Sequence, residues 1–494
     1  MTLLAFIFQA APSAGSFSGR ALALYALVVI CAFLALTWKA EIGIYILTLL
    51  LPLQTTRYHL HAFPLGANIV DILLACSLLG MWMRPNKLKE PHPFVLRFVV
   101  ALAIFYYVSL WRGAFFLGAP LPVWFKDARL VDYKNFMVLP LLAYTTYRLI
   151  RTKQQVAIVI CLACFSSLLV DYSYLKSSLG RDFSHYSEEA RDAGPLGYAG
   201  ENGLASYVVE ITAFMIPMLA LKRRWLAVPV GVLLAANFCC ILYSYSREAY
   251  LAIALALLFL AIVKFRWLLV PLLAVAFMWQ AVMPVAVQER INMSYSQKDS
   301  GEAAQLDASA QERVMLWTDA LTIFHENPVV GTGFLTYANM NRVGSYKDTH
   351  NFYLKMLVET GVVGLALFIT QLFLFCRQGF KLYLSKSSHF LSLIGLGFAA
   401  LILAAAVVNI FGDRWMFTQV DSNLWIFLGC VMAAPAMTQQ TATEESESVP
   451  AAAGAQPFFP RPGFVRVKPA PLPGDHAHAT AYVLASPKLT RDGL

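Results

Sequence analysis

Residues 203–266 read GLASYVVEITAFMIPMLALKRRWLAVPVGVLLAANFCCILYSYSREAYLAIALALLFLAIVKFR. Three apolar runs, 203–221, 225–245 and 248–264, follow one another with only a basic LKRR cluster and a short SYSRE turn between them. Each run has the length that carries an α-helix across about 30 Å of hydrocarbon at about 1.5 Å per residue. The alternating pattern of a membrane β-barrel is absent, so helical spans are expected. Working outward, similar blocks lie at roughly 21–38, 41–53, 69–83, 94–117, 133–150, 154–172, 266–287, 351–376, 387–411 and 423–437. An all-α, polytopic membrane protein of about 12–13 spans is expected.

Composition agrees. The 494 residues are 59% hydrophobic and 14% charged, against roughly 25% charged in an ordinary soluble domain. The net charge of +9 is not gathered on one basic face, which argues against a nucleic-acid partner. Instead Lys39; Arg84, Lys87 and Lys89; Arg148, Arg151 and Lys153; Lys222, Arg223 and Arg224; Lys264 and Arg266; and Arg377, Lys381 and Lys386 occupy every second connection. That asymmetry marks the cytoplasmic side. The loops at roughly 173–202 and 288–350 are then expected outside, and the chain after residue 438 inside. The apolar opening, MTLLAFIFQA, has no basic start and reads as a retained N-terminus. The expected organisation is a membrane domain at 1–437 and a disordered cytoplasmic tail at 438–494, rich in Ala, Pro, Thr and Glu.

Cys31, Cys76, Cys161, Cys164, Cys239, Cys240, Cys376 and Cys430 all fall in apolar blocks, where cysteine packs as a small hydrophobe. The C-x-x-C at Cys161 and Cys164 has no polar companion, and no metal site or cofactor is expected. The outer loop opens on a polar stretch at 293–311. Order should return at 311–324, QERVMLWTDALTIF, whose Val314, Trp317, Leu321 and Phe324 recur at helical spacing. Pro328 then stops the helix and Gly331 and Gly333 permit a tight turn, giving a partly helical cap over the membrane surface.

Charges that depart from the positive-inside pattern are the candidates for chemistry. Arg57, Arg181 and Arg342 read as solvated loop charges. Arg247 lies in a connection too short to leave the membrane edge, where a guanidinium can hold a phosphate by two parallel bonds or snorkel beside Glu248. Arg313 shares a helix face with Trp317, and pairs either with an anionic ligand or with Glu312 or Asp319. His350, where a polar loop enters a span, suits proton transfer or a helix start. Glu210 and Glu359 lie deep in spans, where charge needs a task or a partner; Lys355 is a partner for Glu359, and Glu210 has none nearby.

Taken together, GYAGENGLASYVVEITAFMIP, SYSREAYLAIAL, QERVMLWTDALTIFHENPVVGTGF and DTHNFYLKMLVETGVVGL, in that order with one long outer loop before the histidine, resemble the O-antigen ligase and O-antigen or exopolysaccharide polymerase superfamily of bacteria. The resemblance implies a metal-independent, inverting glycosyltransferase of the bacterial cytoplasmic membrane that moves a glycan from undecaprenyl diphosphate to a glycan or lipid-linked acceptor on the outer side. It implies that Arg247, Arg313 and, more loosely, Arg191 hold the diphosphate and that His350 works at the acceptor. Glu210 and Glu359 are supporting candidates. Glu248 stands where the family often has glycine, an acid beside the phosphate-binding arginine. The competing reading, a lipid-linked oligosaccharide flippase or other transporter, calls for charges through the bundle centre and helices broken at mid-membrane.

Overall fold

Every apolar block forms an α-helix in the computed structural model, which describes residues 19–84, 93–196, 198, 200–293, 295–296, 305–306, 308–340, 342, 348–385 and 388–448. The helices are α1 (Gly19–Thr37), α2 (Glu41–Leu50), α3 (Gln54–Leu60), α4 (Ile69–Met83), α5 (Phe94–Phe116), α6 (Ala128–Leu149), α7 (Lys153–Ser177), α8 (Gly200–Met215), α9 (Ala227–Tyr243), α10 (Arg247–Val263), α11 (Leu269–Val282), α12 (Val285–Asn292), α13 (Ala308–Glu326), α14 (Tyr337–Met340), α15 (Phe352–Leu384), α16 (His389–Val408) and α17 (Thr418–Ser448). A two-residue antiparallel pairing, Tyr295–Ser296 with Gln305–Leu306, is the one piece of sheet among the described residues. Residues up to Thr443 form one body and 444–494 another. The charges at Lys87, Lys89 and Lys386, the loop residues 297–304 and 343–347, and the tail after Ser448 lie outside the described residues.

The fold class is the expected one. Eight described helices are long and apolar enough to cross a membrane, or nine if the bent α11–α12 pair is one span. The block expected at 41–53 yields only α2, ten residues long, about 15 Å and half a crossing. The block expected at 266–287 breaks at Met283 and Pro284, and α12 turns away by 98°. α17 continues to Ser448, past the position 437 where its span was expected to end.

Contacts between loops sort the connections onto two ends of the bundle. Arg84 donates to the carbonyls of Leu36 and Trp38, Gln155 to Glu41 at 3.3 Å, and His389 meets the Ala220 carbonyl at 2.8 Å. The connections rich in Lys and Arg therefore share one end. At the other, Thr55 binds the Pro195 carbonyl at 2.7 Å and Tyr186 N–H donates to Glu289 at 2.7 Å. The cysteines are all free, as expected.

The main departure from expectation is the segment 328–337, which enters the bundle instead of capping its surface. α15 breaks at Gly361, whose φ of +68° and ψ of −169° interrupt the helical ladder. The exposed backbone groups pair with the segment: Val362 N–H with the Pro328 carbonyl at 2.9 Å, Thr332 N–H with that of Val358 at 3.0 Å, and Gly333 N–H with that of Glu359 at 2.7 Å. The protein thus satisfies its own irregular backbone. On the far side Gly333 lies against Gly113 of α5, Phe334 N–H donates to the Ser109 carbonyl at 3.1 Å, and Phe334 stacks on Tyr106 at 4.6 Å. The Glu359 carboxylate completes the seat by accepting from Leu335 N–H at 2.9 Å and Tyr337 N–H at 3.1 Å.

Candidate functional site

Four connections meet at the end of the bundle away from the basic loops: 178–199, 244–246, 283–351 and 409–417. Between them lies a cavity of about 320 Å³ lined by Arg191, Gly200, Glu201, Asn202, Glu312, Arg313, Asp348, His350, Arg414 and Phe417. A second, of about 20 Å³, is lined by Arg191, Asn202, Tyr245, Arg247, Glu248, Arg290 and Arg313. That is room for about one water. Arg191, Asn202 and Arg313 belong to both. The four residues singled out for chemistry are thus brought together, with Arg191, Arg313 and His350 in the larger space and Arg247 in the smaller one behind it.

His350 is placed by its neighbours in DTHN. Asp348 accepts from the His350 backbone N–H at 2.8 Å, and the same carboxylate oxygen meets His350 Nδ1 at 3.0 Å. Asn351 caps α15 by accepting from Leu354 N–H at 3.0 Å. Between the two, His350 takes φ +50°, a left-handed conformation that costs a non-glycine residue about 1 kcal/mol or more. The cost of holding the ring here is met by the cap, by Asp348, and by Trp317, which donates to the Thr349 carbonyl at 3.0 Å. A carboxylate on Nδ1 leaves Nε2 as the nitrogen able to receive a proton.

Arg313 lies on the same face of α13 as Trp317. It approaches Glu248 at 3.9 Å; Asp319, one of its expected partners, pairs with Arg342 at 2.9 Å. Glu248, 5% exposed, turns inward with neither carboxylate oxygen hydrogen-bonded to a described residue. It stands among several guanidinium groups, lining the smaller cavity with Arg247, Arg290 and Arg313. Arg191 bonds Glu188 at 3.1 Å and also Glu201. Burial works against its charge, yet Glu201 and Glu188 hold its pKa above the ordinary value; burial and Arg191 push Arg290 below it. Arg290, stacked on Tyr186 at 4.9 Å, and Arg414 are site residues that the sequence reading did not select.

Glu210 and Glu359 do not line either cavity. Glu210 is buried and faces Asp421 of α17, the partner that was not evident in sequence. Glu359 holds the re-entrant segment, and Lys355 pairs with Asp413 at 2.5 Å, not with Glu359. Arg57 is half-buried with its Nε lacking a described partner, not a solvated loop charge. Arg181 pairs with Asp192 at 2.5 Å, and Arg342 is exposed as expected. Among the described residues no group of His, Cys, Asp and Glu is arranged to hold a metal ion.

A multi-pass helical membrane protein whose loops gather arginines and one carboxylate-held histidine at a single end is the class these features define. Residues 207–369 match the family model described as O-Antigen ligase. The resemblance read from the motifs is borne out over that segment, which contains Arg247, Arg313, His350, Glu210 and Glu359; Arg191 precedes it and Arg414 follows it. The match supports an O-antigen ligase or polymerase-like role in surface polysaccharide biosynthesis, carried out by a glycosyltransferase-like membrane enzyme on lipid-linked glycan and acceptor. No curated protein matches the chain.

Proposed function

We propose that this chain transfers a glycan from an undecaprenyl-diphosphate carrier to an acceptor sugar, with inversion and without a metal, at the outer face of a bacterial cytoplasmic membrane. The observation that carries the reading is the cavity in which Arg191, Arg313 and Arg414 stand beside an Asp348-held His350. In such a transfer the acceptor oxygen bonds to the anomeric carbon as the bond from that carbon to the diphosphate oxygen breaks. The acceptor's proton goes to His350 Nε2. Charge grows on the departing diphosphate, and fixed guanidinium groups in a partly desolvated site stabilise it. Ligase and polymerase differ in acceptor, lipid A core sugar against another repeat unit.

The test is transfer by the purified protein from an undecaprenyl-diphosphate glycan, with chelator present. Arg313→Ala and Arg247→Ala are each expected to lower it by about 10²-fold or more, and Arg247→Lys to rescue poorly because a point charge lacks the planar fork. Full activity in either alanine variant removes that arginine from the site. The transporter reading has its own support, since Asp171, Glu210 and Asp421 are fully or almost fully buried in spans and α15 is broken at Gly361. The re-entrant segment fills that break, however, so it lines no passage there. Movement of the donor across liposomes without release of undecaprenyl diphosphate would favour the transporter.

Orientation is tested separately. In a cysteine-free background, Ser184→Cys and Ser385→Cys, both exposed and at opposite ends of the bundle, are expected to react with an impermeant thiol reagent from outside and inside respectively. Labelling from one side alone would refute the proposed topology.

A further inference from the structure

We propose that Arg414, on the connection between α16 and α17, is an anion-binding residue of the cavity and holds the diphosphate of the donor together with Arg313. This rests on the transferase reading above and extends it beyond the segment that resembles the family. The guanidinium lines the cavity with His350, yet the residue is only 7% exposed. Its Nε is buried with no hydrogen-bond partner among the described residues, and its aromatic neighbour, Phe417, lies 5.8 Å away. The adjacent carboxylate, Asp413, pairs through Oδ2 with Lys355 at 2.5 Å and makes no hydrogen bond to Arg414. Glu248, the buried acid nearby, attracts its charge but makes no hydrogen bond to it. A buried arginine in a cavity wall with an unused donor is costly unless an anion offsets its charge.

The loop around Arg414 is fixed before any ligand arrives. Asn409 Oδ1 accepts from Arg414 N–H at 3.0 Å and from Trp415 N–H at 2.9 Å. Phe352 N–H donates to the carbonyls of Asn409 at 2.9 Å and Gly412 at 3.1 Å, which ties the loop to the helix that starts beside His350. Trp415 is fully buried among Phe368, Phe375 and Trp425. Gly412 allows the guanidinium to lie against the backbone: a Cβ there would stand 2.9 Å from Arg414 Nε. Arginine held this way presents two parallel donors to a phosphate with little ordering left to lose.

The experiment uses the full chain in nanodiscs and measures calorimetric binding of farnesyl diphosphate, with farnesol as the uncharged comparator. Arg414→Gln is expected to weaken diphosphate binding by about 10- to 100-fold, and to leave farnesol binding as in the wild type. Gly412→Ala keeps the arginine but pushes its guanidinium aside, so a smaller loss in the same direction is expected. That variant carries the test if Arg414→Gln does not fold, as judged by size exclusion and thermal melting. Diphosphate binding that is unchanged in folded Arg414→Gln, or in Gly412→Ala where the first variant fails, but lost in Arg313→Ala, overturns the role of Arg414 and leaves the transferase reading intact. A wild type that prefers farnesol, or ignores both, overturns the two together.

Discussion

Glycan transfer by the His350→Ala variant is expected to fall by about 10²- to 10⁴-fold, the usual loss on removing a positioned general base, while donor binding stays close to that of the wild type. His350→Gln can still hydrogen-bond but cannot take a proton at neutral pH, so it should be nearly as impaired. Asp348→Asn should fall between the two, because an amide at 3.0 Å from Nδ1 no longer selects the tautomer that leaves Nε2 unprotonated. Turnover of the purified protein under saturating donor reads all three. His350 variants that match the wild type would leave the fold untouched and remove the catalytic role.

The largest expected effect on folding comes from Gly331→Ala. A methyl group there meets the Glu359 carbonyl carbon at 2.4 Å and the Thr360 nitrogen at 2.5 Å, and the residue sits at φ +66°. Neither backbone atom can rotate away. Overpacking and the left-handed conformation together should cost about 3–5 kcal/mol, enough to empty most of the folded population of a marginally stable protein. Gly231→Ala is the control, since a Cβ there meets nothing within 4 Å and alanine favours a helix by up to about 1 kcal/mol. Fluorescence-detected size exclusion after a heating series compares the two. Equal melting would mean that the segment 328–337 is not seated in α15.

These outcomes depend on features that were unevenly legible in sequence. The spans were visible because a bilayer imposes one length and one polarity on every helix that crosses it. The shortness of α2 and the bend at Met283 and Pro284 were not, because an apolar run says how much of the chain avoids water without saying how straight it is. Arg191 and Arg313 stood out as charges against the inside rule, and His350 as a titratable group where a polar loop enters a span. Arg414 obeyed the same logic, in a DRW between two apolar blocks, and the charge pattern alone was enough to have found it.

Glu248 and the re-entrant segment failed to read for a different reason. Beside Arg247 in sequence, Glu248 looked like its partner, whereas in the structure Arg313 from a distant loop approaches it at 3.9 Å. ENPVVGTGF carries the residues of a surface turn, Pro and two glycines. Its further signal was the apolar Val329, Val330 and Phe334 flanking those glycines, which a solvated turn does not need. Where the segment goes was set by Gly113 and Gly361, in helices far away in the chain.

That seat also bears on how the protein is made. A nascent chain emerging in order places α5 in the membrane long before Phe334 exists, and Phe334 before the broken turn of α15 that will receive it. Until that turn arrives, the amides of Thr332 and Gly333 lack the carbonyls of Val358 and Glu359 that they bind in the folded protein. A chain stalled before α15 therefore lacks the backbone groups on which the segment before His350 is seated.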